Sequence, residues 1–166
     1  YRLKEEGHVT LLANVVGRFK GILGCNMTSD GLLRDLSSEH LNNFDYLKNY
    51  DLLVIPGGVK AMEKMRQEKH VIQFISDFVA TGKVVASTCS GAQLLISAKV
   101  VKGKRISAYY AMEDDVTNAG AIYSRDPVVV DGNIVSSPHY DHMDVWMKTA
   151  IDLVEQQRYD KKWTGF

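Results

Sequence analysis

Cysteine is scarce in this chain, with only Cys25 and Cys89 among 166 residues. Two cysteines far apart, with no closely spaced Cys or His partners, exclude a disulfide scaffold and a zinc site. They fit a reducing compartment, so a cytoplasmic location is expected. Net charge is missing as well, because 20 Lys and Arg balance 20 Asp and Glu, which removes the basic field that nucleic acid or an anionic membrane needs. No apolar run approaches the roughly 20 residues that span a bilayer. No basic start with a small-residue cleavage site marks a secretory signal. Internal repeats and low-complexity tracts are also lacking. Small molecules or other protein surfaces remain as partners, and no metal or cofactor is called for.

The length suits one domain with a full core, expected over residues 1–155, with the polar stretch 156–166 as an appended tail. The chain opens without Met on Tyr1-Arg2-Leu3-Lys4-Glu5-Glu6-Gly7-His8, which reads as the end of a helix with Gly7 as its C-cap glycine. Val9 to Ala13 suits a strand, and residues 14 to 30, rich in Gly, Asn and Ser, read as loop or short hairpin.

Asp51-Leu52-Leu53-Val54-Ile55 is a continuous apolar run stopped by Pro56-Gly57-Gly58, the pattern of a strand buried on both faces. Val71, Phe74, Ile75, Phe78 and Val79 then recur on one helical face, ended by Gly82. A second buried strand, Lys83 to Thr88, follows at once, completing a βαβ unit. Further on, Gly91 to Ala98 and Met112 to Ala119 read as helices and Gly103 to Ser107 as a strand. Val128 to Val130 and Ile134 to Ser136 flank Asp131-Gly132-Asn133 as a hairpin. A last helix carries Met143, Trp146, Met147, Ala150, Ile151 and Val154 on one face. This alternation predicts an α/β fold, a three-layer αβα sandwich of the doubly wound kind.

In such sheets ligands bind beyond the carboxyl ends of the parallel strands, where Pro56-Gly57-Gly58, Cys89-Ser90-Gly91 and Pro138-His139-Tyr140-Asp141-His142 fall. A cysteine on a strand-to-helix turn sits beside the positive end of a helix dipole, which favours the reactive thiolate. Ser87-Thr88-Cys89-Ser90-Gly91 is a cysteine version of the elbow known for serine nucleophiles. The amide of Ser90 and an amide of Gly57 or Gly58 would form an oxyanion hole. The competing reading makes Cys89 a small buried hydrophobe.

The runs Asp51 to Gly58, Gly82 to Gly91 and Asp131 to Ser137 resemble the ThiJ/PfpI family, a branch of the class I glutamine amidotransferase-like superfamily. The resemblance extends from residue 1 to about 155. It implies a flavodoxin-like sandwich, Cys89 as nucleophile, and homodimers or higher oligomers. Intracellular peptidases, protein deglycases and glyoxalase III enzymes belong to this family. The implied activity is therefore a peptidase-like or amidase-like hydrolase, or alternatively a glyoxalase or deglycase acting on α-oxoaldehydes. A non-enzymatic redox-sensing stress or chaperone-like protein is a further alternative.

Two departures from the family pattern stand out. Ser90 occupies the place where many relatives carry a His directly after the Cys. The family's first strand, with a Glu that hydrogen-bonds the Cys, would lie before Tyr1, so about 20 preceding residues are expected from a strand and the first helical turns. With no base next to Cys89, His139 is the candidate general base and Asp141 its orienter, in the spacing of the superfamily's His-Pro-Glu pattern. The alternative for Asp141 is a helix N-cap. Tyr109 is expected either as a substrate hydrogen-bond donor or as a packed sheet-edge aromatic. Glu63 is expected either as an acid lent to a neighbouring subunit or as a solvated helix charge. His142 would flank the site or face solvent, His8, His40 and His70 have no partner pattern, and Cys25 reads as inert. Asp114 and Asp115 read as an exposed helix start.

Overall fold

Val84–Thr88 (β6) is buried along its whole length, which requires cover on both faces of the strand and explains its unbroken run of small and β-branched residues. The computed structural model describes residues 2–14, 18–20, 26–32 and 46–163. The chain divides into two compact units, Tyr1–Asp45 and Tyr46–Phe166, where the sequence suggests one domain to residue 155. Cys25 and His40 lie outside the described residues.

In the first unit, helix α1 (Arg2–Glu5) ends as expected at Gly7, whose φ is 80°. Gly7 N–H donates to Lys4 O and His8 N–H to Leu3 O at 3.0 and 2.9 Å, the paired bonds of a Schellman motif. β1 (Ala13–Asn14) pairs in parallel with β4 (Gly31–Leu32). β2 (Arg18–Lys20) and β3 (Asn26–Thr28) form the short antiparallel hairpin anticipated for residues 14 to 30. The strand expected over Val9 to Ala13 is confined to its last residue, and Val9 is 88% exposed. An apolar run becomes a strand only where a ladder partner exists, and Leu12 is held instead by Asp30 through a 2.9 Å bond from its N–H.

The second unit follows the doubly wound pattern. β5 (Leu52–Ile55), β6 and β10 (Ile134–Ser137) run parallel, with β9 (Val129–Asp131) antiparallel on the β10 edge, in the order β5-β6-β10-β9. β7 (Arg105–Ser107) and β8 (Ile122–Ser124) form a parallel pair. It is tied to the main sheet where Ser107 N–H donates to Ser136 Oγ at 2.9 Å. Helix α2 (Tyr46–Asn49) precedes β5, and its terminal carbonyl region is capped by Lys83, whose Nζ donates to the Lys48 and Tyr50 carbonyls at 3.0 and 2.7 Å. α3 (Val59–Met65) and α4 (Lys69–Ala80) connect β5 to β6. α4 buries Val71, Ile75 and Phe78 as its 3.6-residue period dictates. α5 (Ala92–Ser97) and α6 (Glu113–Asn118) follow, with Asp114 and Asp115 exposed in the first turn of α6.

α7 (Met143–Trp163) packs on β6 and β10 through Trp146, Met147, Ala150 and Val154. The Trp146 indole N–H donates to Val135 O at 3.1 Å. The boundary placed at residue 155 falls inside this helix, and the expected tail is helical as far as Trp163. Its Gln, Arg and Lys residues are good helix formers with no Gly or Pro among them. Gln157 donates to Gly82 O and Arg158 pairs with Asp51, each at 2.9 Å. The polarity of this stretch marks a solvated helix face.

Candidate active site

Thr88 ends β6 in extended conformation, and the next residue, Cys89, sits at φ 55° before a single 3-10 turn (Cys89–Gly91) leads into α5. A left-handed conformation costs a residue with a Cβ about 1–2 kcal/mol, so the surroundings must hold it there. Glycine supplies that constraint twice. A Cβ on Gly57 would lie 2.7 Å from Cys89 Cβ and 3.1 Å from its Sγ, and a Cβ on Gly91 would lie 2.6 Å from Ile55 O. The loop after β5 therefore closes directly on the elbow after β6, at a separation that only glycine permits. Tyr109 N–H donates to Cys89 O at 3.2 Å, fixing the loop after β7 to the elbow. The Cys89 side chain is left half-buried and unbridged.

Ser90 is 1% exposed, and its Oγ accepts a 2.8 Å bond from Gly58 N–H. Of the amides expected to form an oxyanion hole, that of Gly58 is thus already committed to a side chain. The Ser90 amide itself lies against Gly57, 3.5 Å from where a Cβ would stand. In the sequence the Ser90 side chain registers only as the absence of a base. In the structure it ties the β5 loop to the elbow, a role with no sequence signal because its partner lies 32 residues away.

β10 is the parallel neighbour of β6, with Ser137 opposite Thr88, so Cys89 and His139 leave adjacent strand ends. His139 is 21% and Asp141 66% exposed at the side chain, and His139 Nδ1 is 3.0 Å from Asp141 Oδ2. The Asp141 amide nitrogen is 3.4 Å from the same Nδ1. That amide is a donor and can bond only an unprotonated Nδ1, whereas a proton on Nδ1 has the Asp141 carboxylate as its acceptor and leaves the Nε2 lone pair free to accept. His139, and not Asp141, holds the cap position of the 3-10 turn Tyr140–His142. Tyr109, 38% exposed, has its ring centroid 6.4 Å from that of His139 at an interplanar angle of 27°.

Of the remaining candidates, His142 shares the turn of His139 and donates its N–H to the His139 carbonyl at 3.2 Å. Glu63 is exposed on α3, and its carbonyl accepts from Gln67. His142 is half-buried, and His70 Nδ1 lies 3.8 Å from Glu68. A cleft of about 310 Å³ lined by Arg66, Gln93, Met112 and Asp115 includes none of the candidate residues. Around the elbow, Ser87, Thr88 and Ser137 carry buried hydroxyls with no hydrogen-bond partner among the described residues. The sequence assigns these hydroxyls no role, because what surrounds a hydroxyl near a strand end is settled only by the fold. Among the described residues there is no group of His, Cys, Asp and Glu arranged to hold a metal ion, and no helix is long and apolar enough to cross a membrane.

A flavodoxin-like α/β sheet with a left-handed cysteine at the strand-to-helix turn defines a recognisable class. The chain belongs to the DJ-1/PfpI family, whose pattern matches residues 1–153 and so spans both units. It is 36% identical over 155 residues to Deglycase PfpI of Pyrococcus furiosus, covering 93% of this chain and 88% of that one. It is 37% identical over 106 residues to Protein/nucleic acid deglycase 2 of Escherichia coli, covering 63% of this chain and 61% of that one. Among solved structures, a two-domain protein from Anabaena variabilis with DJ-1/ThiJ/PfpI-like and ferritin-like domains superposes with a TM-score of 0.82 at 28% identity. That match covers 92% of this chain and 42% of that protein, so the chain spans less than half of its length. Schizosaccharomyces pombe DJ-1, 18% identical with a TM-score of 0.76 over 99% of this chain and 87% of its own, shares the fold.

Proposed function

We propose that this chain is a cysteine enzyme of the deglycase type, which releases amines from their α-oxoaldehyde adducts and converts the freed carbon skeleton to a 2-hydroxy acid. The observation that carries this reading is Cys89 at φ 55°, half-exposed on the elbow with Gly57 against its Sγ. Deglycase-named relatives at 36% identity over nearly the whole chain support the reaction class.

In the adduct, the carbinol carbon carries the amine nitrogen. When the C–N bond breaks, its electron pair returns to nitrogen, the carbinol proton follows, and the aldehyde carbonyl re-forms. The Cys89 thiolate adds to that aldehyde carbon, and the carbonyl electron pair moves to oxygen, where the Ser90 amide stabilises it. The proton surrendered by the thiol to His139 Nε2 then quenches the alkoxide. His139 next removes the carbon-bound proton and returns it to the neighbouring carbon, while the hydroxyl proton passes to the former ketone oxygen. The product is a thioester of the 2-hydroxy acid, which water cleaves to restore the thiol. One carbon is oxidised by two electrons and its neighbour reduced by the same two, so no external redox partner enters. Asp141 orients His139, and Tyr109 borders the bound carbonyl. A homodimer or higher oligomer belongs to the same proposal, with Glu63 as the acid lent across it.

A second reading, a peptidase or amidase, is favoured by the 3.0 Å His139–Asp141 contact, the base-and-orienter arrangement of hydrolases. Turnover of methylglyoxal, of its adduct on an amine and of a peptide amide, measured in the wild type and in Cys89→Ala, decides between them. The deglycase reading expects turnover of the first two, reduced at least a thousandfold in Cys89→Ala. It is overturned if only the peptide amide is cleaved, or if Cys89 is selectively oxidised by mild peroxide while no carbonyl compound is turned over.

A further inference from the structure

Tyr109, Tyr110 and Tyr140 gather their rings on His139 in the candidate active site. The cleft of about 310 Å³ lined from α3, α5 and α6 has a different make-up, with Arg66, Gln93, Asp115 and Asn118 around apolar Ile96 and Met112. Met112 is buried and Ile96 half-buried, whereas Arg66, Asp115 and Asn118 are exposed. The apolar groups therefore form the floor and the charged groups the rim.

Helical spacing brings these side chains together. Asp115 and Asn118 stand three residues apart on α6, and Gln93 and Ile96 three apart on α5, so each pair shares a helix face. Arg66 is the C-cap of α3, and its Nε donates to Ser97 Oγ at 3.2 Å. That bond holds one edge of the planar guanidinium and leaves its Nη groups open.

The charges of this cleft are unmatched within the protein. Among the described residues no carboxylate pairs with Arg66 and no cation with Asp115, although both line the same space. Gln93 Oε1 is buried without a hydrogen-bond partner, and a buried acceptor with no donor calls for an explanation. An anion alone would meet Asp115, and a cation alone would meet Arg66. A small zwitterion satisfies both. Its carboxylate accepts from the Arg66 Nη groups and the Asn118 amide, and its ammonium donates to Asp115 and Gln93 Oε1. The apolar floor then favours an uncharged aliphatic side chain.

We propose that this cleft is a second ligand site, separate from Cys89, that binds a free α-amino acid with an aliphatic side chain. Its volume lies in the range of small-molecule sites. The proposal does not depend on the reaction assigned to Cys89, because the recognition it describes is measured without turnover.

The test is equilibrium binding of L-leucine to the full chain by titration calorimetry. The comparison ligands are N-acetyl-L-leucine, which lacks the ammonium, and L-leucine amide, which lacks the carboxylate. L-leucine is expected to bind about tenfold more tightly than either, as one charge-assisted hydrogen bond warrants. Asp115→Asn should abolish the preference over N-acetyl-L-leucine, and Arg66→Gln the preference over the amide. Both positions are exposed, so urea unfolding of these variants should match the wild type. Gln93→Met, which keeps the side-chain length, should weaken L-leucine about fivefold. Glycine, with both charges and no side chain, should also bind about fivefold more weakly. Equal affinity for the three leucine compounds, a preference that survives in both charge variants, unchanged affinity in Gln93→Met, or no binding at millimolar concentration overturns the proposal. Glycine binding as tightly as L-leucine overturns the assignment to an aliphatic side chain. Binding lost in His139→Ala but kept in Arg66→Gln would place the ligand in the active site and overturn the second site. The two readings fail separately, since turnover is read at Cys89 and affinity at Arg66 and Asp115.

Discussion

The 3-10 turn and helix α5 that follow β6 are bounded by two left-handed residues, Cys89 at φ 55° where the turn starts and Lys99 at φ 59° just past the helix, the two non-glycine residues with positive φ among those described. The backbone conformation is nearly the same, but the two ends are held by different means. At the end of the helix, Lys99 N–H donates to Ile96 O at 3.0 Å and Val100 N–H to Leu95 O at 3.2 Å. This is a Schellman motif that the local chain makes for itself, and Lys99 is exposed. At the start, Cys89 is held by segments distant in sequence, namely Gly57 against its side chain, Tyr109 on its carbonyl, and Gly58 on the neighbouring Ser90. Strain sustained by long-range packing is a mark of a functional site, whereas strain sustained by a helix end is ordinary termination.

The largest expected break in that comparison concerns chemistry at the Cys89 end. In His139→Ala the loss of the general base should lower kcat/KM for a carbonyl substrate by about 10²–10⁴-fold, while urea unfolding stays close to the wild type. An unchanged rate would remove His139 from the mechanism and leave its contact with Asp141 as a feature of the loop.

Next comes packing. Gly91 has ordinary helical angles, φ −56° and ψ −27°, so on propensity alone Gly91→Ala should stabilise by about 1 kcal/mol. The 2.6 Å approach of the new Cβ to Ile55 O reverses the sign, because a main-chain oxygen cannot move aside as a flexible side chain can. A destabilisation of about 1–3 kcal/mol is expected, read from the urea midpoint, together with slower alkylation of Cys89. A stabilised Gly91→Ala protein would show that the β5 loop does not brace the elbow. Ser90→Ala should cost less, about 0.5–1.5 kcal/mol for one hydrogen bond, and should speed hydrogen exchange at the Gly58 amide.

These contrasts also mark what the sequence reveals and what it conceals. β5, α4 and β6 are legible because continuous apolar runs and a helical period encode burial directly, and the elbow at Cys89 is legible because chain order puts a cysteine between a buried strand and a helix. The Val9 to Ala13 run is not, since only a ladder partner turns such a run into a strand. Residues 156–163 mislead because a solvated helix face and a tail have similar compositions. The bond from Gly58 to Ser90 is silent in the sequence because a serine's partner is chosen in three dimensions, and the rings around His139 gather only when β7 and β10 bring their loop ends together.

The smallest effect lies at the other end of α5 and sharpens the comparison most directly. Lys99→Gly removes a left-handed side-chain penalty of about 1–2 kcal/mol, partly offset by the roughly 0.5–1 kcal/mol that glycine's greater freedom costs on folding. A net stabilisation of about 0.5 kcal/mol is expected, visible as a slightly higher urea midpoint, with carbonyl turnover and Cys89 alkylation unchanged because Lys99 touches nothing in the site. The same exchange at Cys89 would relieve the same torsional strain, yet it would also delete the side chain that Gly57 packs against along with the thiol. If Lys99→Gly slowed alkylation of Cys89, the two ends of α5 would be mechanically coupled, and the left-handed turn at Lys99 would belong to the machinery that presents the thiol.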